Sequence, residues 1–387
     1  MPQMSTAQGF LFFLLLLGVA AAGLRLLSRT TPTVPYPVLL AVGGVLIGLV
    51  PGLRLPAIGS DLILLAFVPG LVFEVSLSLD LDELRRRILP ISLLATAGVF
   101  LTVVLIGVLT HLFLRLDWAA AFLLGAIVAA TDPIAVVGLL RQLRAPKGLE
   151  AILDGESLFN DGTGVAVFAA VLGTIAAGHP SVLDASVRFV LVTAGGAGVG
   201  LVVGLAGLLL LRLVKEAELE ILTTLVVAYG SYLAADLIHA SGVVAVVVAG
   251  LVVARHVQGT QLHGFWNLVA FVLNAILFLV VGIAMPAQRL VSVAGLVAGA
   301  YLIMLIVRAA AVYGLLGAFR SIPWSWRHMT MWGGLRGGLS VALALSLGSY
   351  PTVPVVAYGM ILLSLVVQGG LLLPMADLLR LRRRPVD

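Results

Sequence analysis

The run Gly155-Glu156-Ser157-Leu158-Phe159-Asn160-Asp161-Gly162 puts two carboxylates, a hydroxyl and a carboxamide side by side. The downstream stretch Val165-Ala166-Val167-Phe168-Ala169-Ala170-Val171-Leu172 carries no charge and reads as membrane helix. An ionisable group at bilayer depth costs at least a few kcal/mol, and it usually marks an ion path, a proton relay or a counter-ion. A chain that keeps two in one spanning helix is expected to move a cation or proton rather than to catalyse bond chemistry.

Composition agrees with a membrane setting. Of 387 residues, 61% are hydrophobic and 11% charged, against about 45–50% and about 25% in soluble domains. The fold class this predicts is an all-α polytopic membrane protein, a single transport domain over 1–387 with no soluble C-terminal domain. Cysteine is absent, which excludes disulfides, thiolate metal sites and cysteine nucleophiles. The net charge of +5 does not point to nucleic acid, because Lys and Arg gather at span ends, where topology places them. The first apolar run, Phe10 to Val19, has Arg25 and Arg29 after it and no basic residue before it. A signal peptide has the opposite order, so a retained first helix is expected.

With about 20 residues per spanning helix, about thirteen segments emerge: 9–27, 36–52, 61–79, 90–114, 118–141, 153–177, 187–213, 219–238, 241–256, 265–285, 290–318, 328–348 and 354–379. The short ninth is open to merging with the eighth. Placing the N-terminus outside puts Arg25, Arg29, Arg85, Arg86, Arg87, Arg141, Arg144, Lys147, Arg212, Lys215, Arg255, Arg320, Arg327, Arg380, Arg382, Arg383 and Arg384 on the cytoplasmic side. The outside keeps Arg54, Arg115, Arg188 and Arg289. This bias predicts an N-out, C-in multi-pass protein of the cell membrane, its partner the lipid bilayer. Arg308 and Arg336 remain within spans, as do the acids Glu74, Asp132, Glu156, Asp161 and, nearer an end, Asp236.

Two spans read as broken. Ala129-Ala130-Thr131-Asp132-Pro133 sets a proline at mid-membrane in the fifth, and proline removes a backbone donor and disfavours helix in the residue before it. Gly333-Gly334-Leu335-Arg336-Gly337-Gly338 surrounds one charge with four glycines in the twelfth. The two segments hold matching positions in halves 9–177 and 219–379, joined by span 187–213, and cross in opposite senses. Interrupted helices so placed point to a transporter site at the crossing of inverted repeats. Pro133 suits the first position of a new half-helix with Thr131 or Asp132 as cap. Arg336 suits facing helix ends of negative polarity.

Residues four apart share a helix face, so Glu156 aligns with Asn160 and Ser157 with Asp161. Arg308, deep in the eleventh span, needs a partner; Glu156 is preferred, with Asn160 steadying the pair. Ser157 and Asp161 then face a cavity walled by the broken fifth helix. Carboxylates of Asp161 and Asp132, the Ser157 hydroxyl and Thr131 oxygens supply the hard ligands that sodium takes. Asp161 can hold a proton or a cation but not both, and that competition couples opposed fluxes. The plainer readings are Asp161 as a counter-ion, Asp236 as interfacial and Arg336 as structural. Glu74 is either a third site carboxylate or a water-exposed helix end. His111, His179, His239, His256, His263 and His328 lie near span ends without metal-ligand spacing.

The motifs Thr131-Asp132-Pro133, Gly155 to Gly162 and Gly333 to Gly338 together resemble the monovalent cation:proton antiporter family, in its NhaP-type electroneutral sodium/proton branch. The resemblance implies a thirteen-helix inverted-repeat fold and a homodimer with elevator-like movement. It also implies ion or proton carriage at Asp161, with Thr131, Asp132, Ser157 and Glu74 lining the site and a Glu156–Arg308 pair. Asn160, where electrogenic relatives carry a second Asp, implies one-for-one exchange. The expected activity is sodium (or lithium)/proton antiport serving pH homeostasis, with no cofactor and no nucleic-acid partner. Potassium/proton exchange is the alternative. An intramembrane hydrolase is disfavoured because Ser157 has no histidine base in its motif.

Overall fold

The computed structural model describes residues 6–30, 34–50, 63–177, 182–257, 261–284, 287–347 and 350–381, and among these the regular elements are all helices. In chain order they are α1 (Thr6–Thr30), α2 (Tyr36–Gly48), α3 (Ile63–Ser78), α4 (Leu81–Arg86), α5 (Ile88–Leu114) and α6 (Trp118–Ile127). Next come α7 (Ile134–Gln142), α8 (Lys147–Ala176), α9 (Val182–Leu213), α10 (Ala217–Leu237), α11 (Gly242–Val257) and α12 (Gln261–Ile283). The series ends with α13 (Ala287–Ser292), α14 (Ala294–Gly317), α15 (Trp324–Trp332), α16 (Gly338–Leu345), α17 (Thr352–Gly369) and α18 (Leu372–Leu378). Within the described residues, each predicted segment falls on a helix or on two consecutive ones; 51–52, 61–62, 285 and 348 lie outside them. Among the described residues, α1, α5, α8, α9, α12, α14 and α17 are long and apolar enough to cross a membrane.

α10 and α11 are separate, as in the thirteen-segment reading, because the chain turns at His239, whose φ of 58° leaves the helical region. The differences from expectation are local. α3, α5 and α17 each contain a π-helical turn, at Ile63–Phe67, Leu94–Gly98 and Ser364–Gly369. The unforeseen α4 is an amphipathic linker whose first turn is capped by Asp80, the carboxylate accepting from the Asp82 and Glu83 amides at 3.1 Å.

Packing follows hydrophobicity. One core joins α3, α10 and α11 through Phe73, Leu77, Val246, Val253 and Trp266 of α12. A second joins α5, α6, α14 and α17 through Ile106, Leu124, Met304 and Met360. A third seats α1 and α2 on α12 through Leu17, Leu40 and Phe278. Large apolar side chains left outside, such as Leu11, Val19, Leu191 and Val202, suit a surface bathed in lipid. α8 threads between the first two cores, and its polar run is thereby carried into the interior.

Candidate functional site: the crossing of two broken spans

Both interruptions form as the local sequence dictates. α6 starts at Asp117, whose carboxylate accepts from the Ala120 amide at 3.1 Å, and stops at Ile127. Residues 128–133 are unwound, and α7 restarts at Ile134. Proline thus sits one position earlier than the first helical residue expected for it. The cap comes from Asp132, whose Oδ1 accepts from the Ile134 amide at 3.0 Å. In the twelfth segment α15 ends at Trp332, residues 334–337 are non-helical, and α16 restarts at Gly338.

The two unwound segments touch. The Asp132 amide donates to the Leu335 carbonyl at 2.8 Å. The Arg336 guanidinium, 1% exposed, donates to the carbonyls of Ala129 and Ala130 at 3.3 and 3.1 Å. Its positive charge therefore rests on the acceptor end of α6, which favours cations. The approach is so close that a Cβ on Gly337 would run into the Asp132 carboxylate, and one on Gly334 would lie 2.6 Å from Arg308 Nε. The glycines provide room for two charges.

α8 supplies the other wall. Arg308 of α14 donates through both terminal nitrogens to the two oxygens of Glu156, and its Nη2 also reaches the Thr330 carbonyl at 2.9 Å. Both partners are buried, and bidentate contact is the strong form of such a pair. Asn160 does not join them. Its Oδ1 accepts from the Thr131 amide at 3.3 Å and its Nδ2 donates to Thr131 Oγ1 at 2.6 Å. Ser157 donates to the Thr131 carbonyl at 2.5 Å. Asn160 and Ser157 thus occupy the backbone groups that unwinding of the fifth span left without helical partners.

Asp161 differs from all of these. Among the described residues no hydrogen bond or ion pair reaches its carboxylate, and its charged neighbour is Asp132. It borders a cavity of about 60 Å3 together with Ser157, Thr131, Asp132, Pro133 and residues of α3, α12 and α16. A single water needs roughly 10–15 Å3 on this measure, so the space holds a partly hydrated small ion. One lining residue escaped the sequence reading: Ser340, 1% exposed, whose hydroxyl has no hydrogen-bond partner among the described residues.

Glu74 does not line this cavity. Val72 and Val75 of α3 do, and position 74 turns away from theirs. Its carboxylate accepts from Ser78 Oγ at 2.6 Å, and its charged neighbours are Arg141 and His263. It belongs with a group the sequence reading passed over, in which Arg141 bridges Asp154 at 3.1 Å and Glu150 at 3.9 Å. A cavity of about 330 Å3 opens beside Asp80, Arg141, Lys147, Glu150, Asp154 and His263. Asp154 signalled itself only as a further acid one turn before Ser157. Of the other histidines, His111 contacts the Leu116 carbonyl and His328 the Tyr313 hydroxyl, both at 2.7 Å. His179 lies outside the described residues.

Comparison with known proteins fits this arrangement. The family described as "Sodium/hydrogen exchanger, transmembrane" matches residues 12–378. The Na(+)/H(+) antiporter NhaP of Pseudomonas aeruginosa is 36% identical over 335 residues, covering 80% of this chain and 79% of that protein. The Na(+)/H(+) antiporter ApNhaP of Aphanothece halophytica is 34% identical over 377 residues, 92% of this chain and 72% of that one. The solved structure of the sodium proton antiporter MjNhaP1 from Methanocaldococcus jannaschii superposes with a TM-score of 0.76 at 19% identity, covering 95% and 99% of the two chains, and shares the fold. With its broken spans crossing beside a polar membrane helix, this chain belongs to the sodium/hydrogen exchanger family of multi-pass transporters, not to an enzyme family.

Proposed function

We propose that the protein exchanges sodium, and lithium in its place, for protons one for one by competition at Asp161. The observation that carries this is a carboxylate without a protein partner among the described residues, bordering a small cavity where two broken spans meet. Asp132, Ser157 and Thr131 supply the remaining oxygen ligands around the transported ion, and Ser340 adds a hydroxyl. Glu74 stands outside the ion's surroundings, with Ser78, Arg141 and His263. Glu156, Arg308, Asn160, Arg336 and Pro133 support the site. The membrane topology that suits the charge distribution is N-out, C-in, in the cell membrane. We read the functional unit as a homodimer in which a bundle built around the crossing moves against a static scaffold. The relatives named as Na(+)/H(+) antiporters support sodium and protons as cargo.

A reconstituted system tests the reading. Proteoliposomes loaded with a pH dye are expected to show proton movement on addition of sodium or lithium, at an equilibrium position unmoved by an imposed voltage. Absence of any cation-driven proton flux would refute antiport. A voltage-driven shift of the equilibrium would refute one-for-one exchange. Flux with potassium in place of sodium would reassign the cargo.

A further inference from the structure

A second large cavity, of about 560 Å3, opens where α1 and α2 meet α7 and α12. Arg25, Ser28 and Arg29 line one side, Tyr36 and Phe271 form an aromatic wall, and Gly138 and Gln142 of α7 close the other. Among the described residues its lining contains no carboxylate. The Arg25 guanidinium lies over the rings of Tyr36 and Phe271, 5.2 and 5.9 Å from their centroids. Neither Arg25 nor Arg29 takes part in any ion pair among those described. Both are exposed and stand in the last turns of α1, where the charge distribution sets the cytoplasmic leaflet.

We propose that this cavity binds the headgroup of an anionic phospholipid, its phosphate held by Arg25 and Arg29. Three properties meet in one place. Basic pockets between membrane helices at the cytoplasmic side favour anionic headgroups. The same turns of α1 carry the exposed apolar side chains Leu26 and Leu27, which suit surrounding acyl chains. The space is open: a Cβ added at Gly138 meets nothing within 4 Å. The position carries a functional consequence, because Ile134 lines both this cavity and the one bordered by Asp161. A bound lipid therefore walls the ion site through one side chain.

The test is lipid retention by the purified full-length protein, read by native mass spectrometry after exposure to mixed phosphatidylglycerol and phosphatidylcholine. The wild type is expected to retain phosphatidylglycerol preferentially. Arg25→Gln with Arg29→Gln should abolish the preference, and the paired lysine variant should restore it. Gly138→Leu, which fills the space and keeps both charges, should also abolish it and covers the case in which the glutamine pair fails to fold. Equal retention of the two lipids by the wild type, or a preference that survives Gly138→Leu, would overturn the proposal. So would displacement of the lipid by inorganic phosphate at matched concentration, which would make the site one for free anions. Retention is measured without transport, so its outcome is separable from that of the exchange assay.

Discussion

Glu156 and Asp161 lie on the same helix a little over one turn apart, and the structure treats them in opposite ways. Glu156 is 2% exposed and held at both oxygens by Arg308. Asp161 has no protein partner among the described residues and borders a cavity. A buried charge that is fully paired is locked into one ionic state, since giving up the partner leaves an unsatisfied charge in a medium of low polarity. A charge whose shell is left open can be completed from outside, by a proton or by a metal ion. On the proposed function, the difference between a strut and an exchanger is made by what stands opposite each carboxylate.

The largest effect should come from removing the open one. Asp161→Asn is expected to abolish cation-driven proton flux in proteoliposomes while leaving expression and thermal stability near wild type. Retained flux would move the exchange to another group. Removing the paired one should do the reverse. Glu156→Gln or Arg308→Gln orphans a buried charge at about 3–5 kcal/mol, so the yield of folded protein should collapse. Replacing both with apolar residues of similar volume should recover much of that loss. Normal melting temperatures for both single variants would refute the pairing.

Smaller changes sharpen the contrast at its border. Asn160→Ala leaves the buried Thr131 amide without an acceptor, costing about 1–3 kcal/mol, and should lower transport by loosening the unwound segment. Ser340→Ala removes a hydroxyl that no protein group uses among the described residues, so stability should hold. If that hydroxyl contributes about 1 kcal/mol to the ion, half-saturating sodium should rise about fivefold. An unchanged value would remove Ser340 from the ion's surroundings.

Much of this arrangement is legible in the residues alone. The scarcity of charges at membrane depth leaves Arg308 few candidate partners, and proline and glycine announce both breaks by their backbone chemistry. What stays hidden concerns facing surfaces. Helical spacing places Asn160 on the stripe of Glu156, but it does not say which element lies opposite each turn of that stripe. Here α14 stands opposite one turn and the unwound residues of the fifth span opposite the next. Position 74 carries an acid at the right depth, yet a step of one residue along α3 swings it away from the cavity. Ser340 gives no signal because hydroxyls are common in membrane helices, and only its missing partner marks it.

The bond from the Asp132 amide to the Leu335 carbonyl, with the Arg336 contacts beside it, stitches the first half of the chain to the second at a place where neither is helical. Backbone that lacks helical partners cannot be stranded in hydrocarbon. The alternating access proposed above would therefore carry both half-helix pairs together or tear these contacts at a cost per group. In the exchange proposed above, the stitch would hold the two unwound segments together as a single piece of wall beside Asp161.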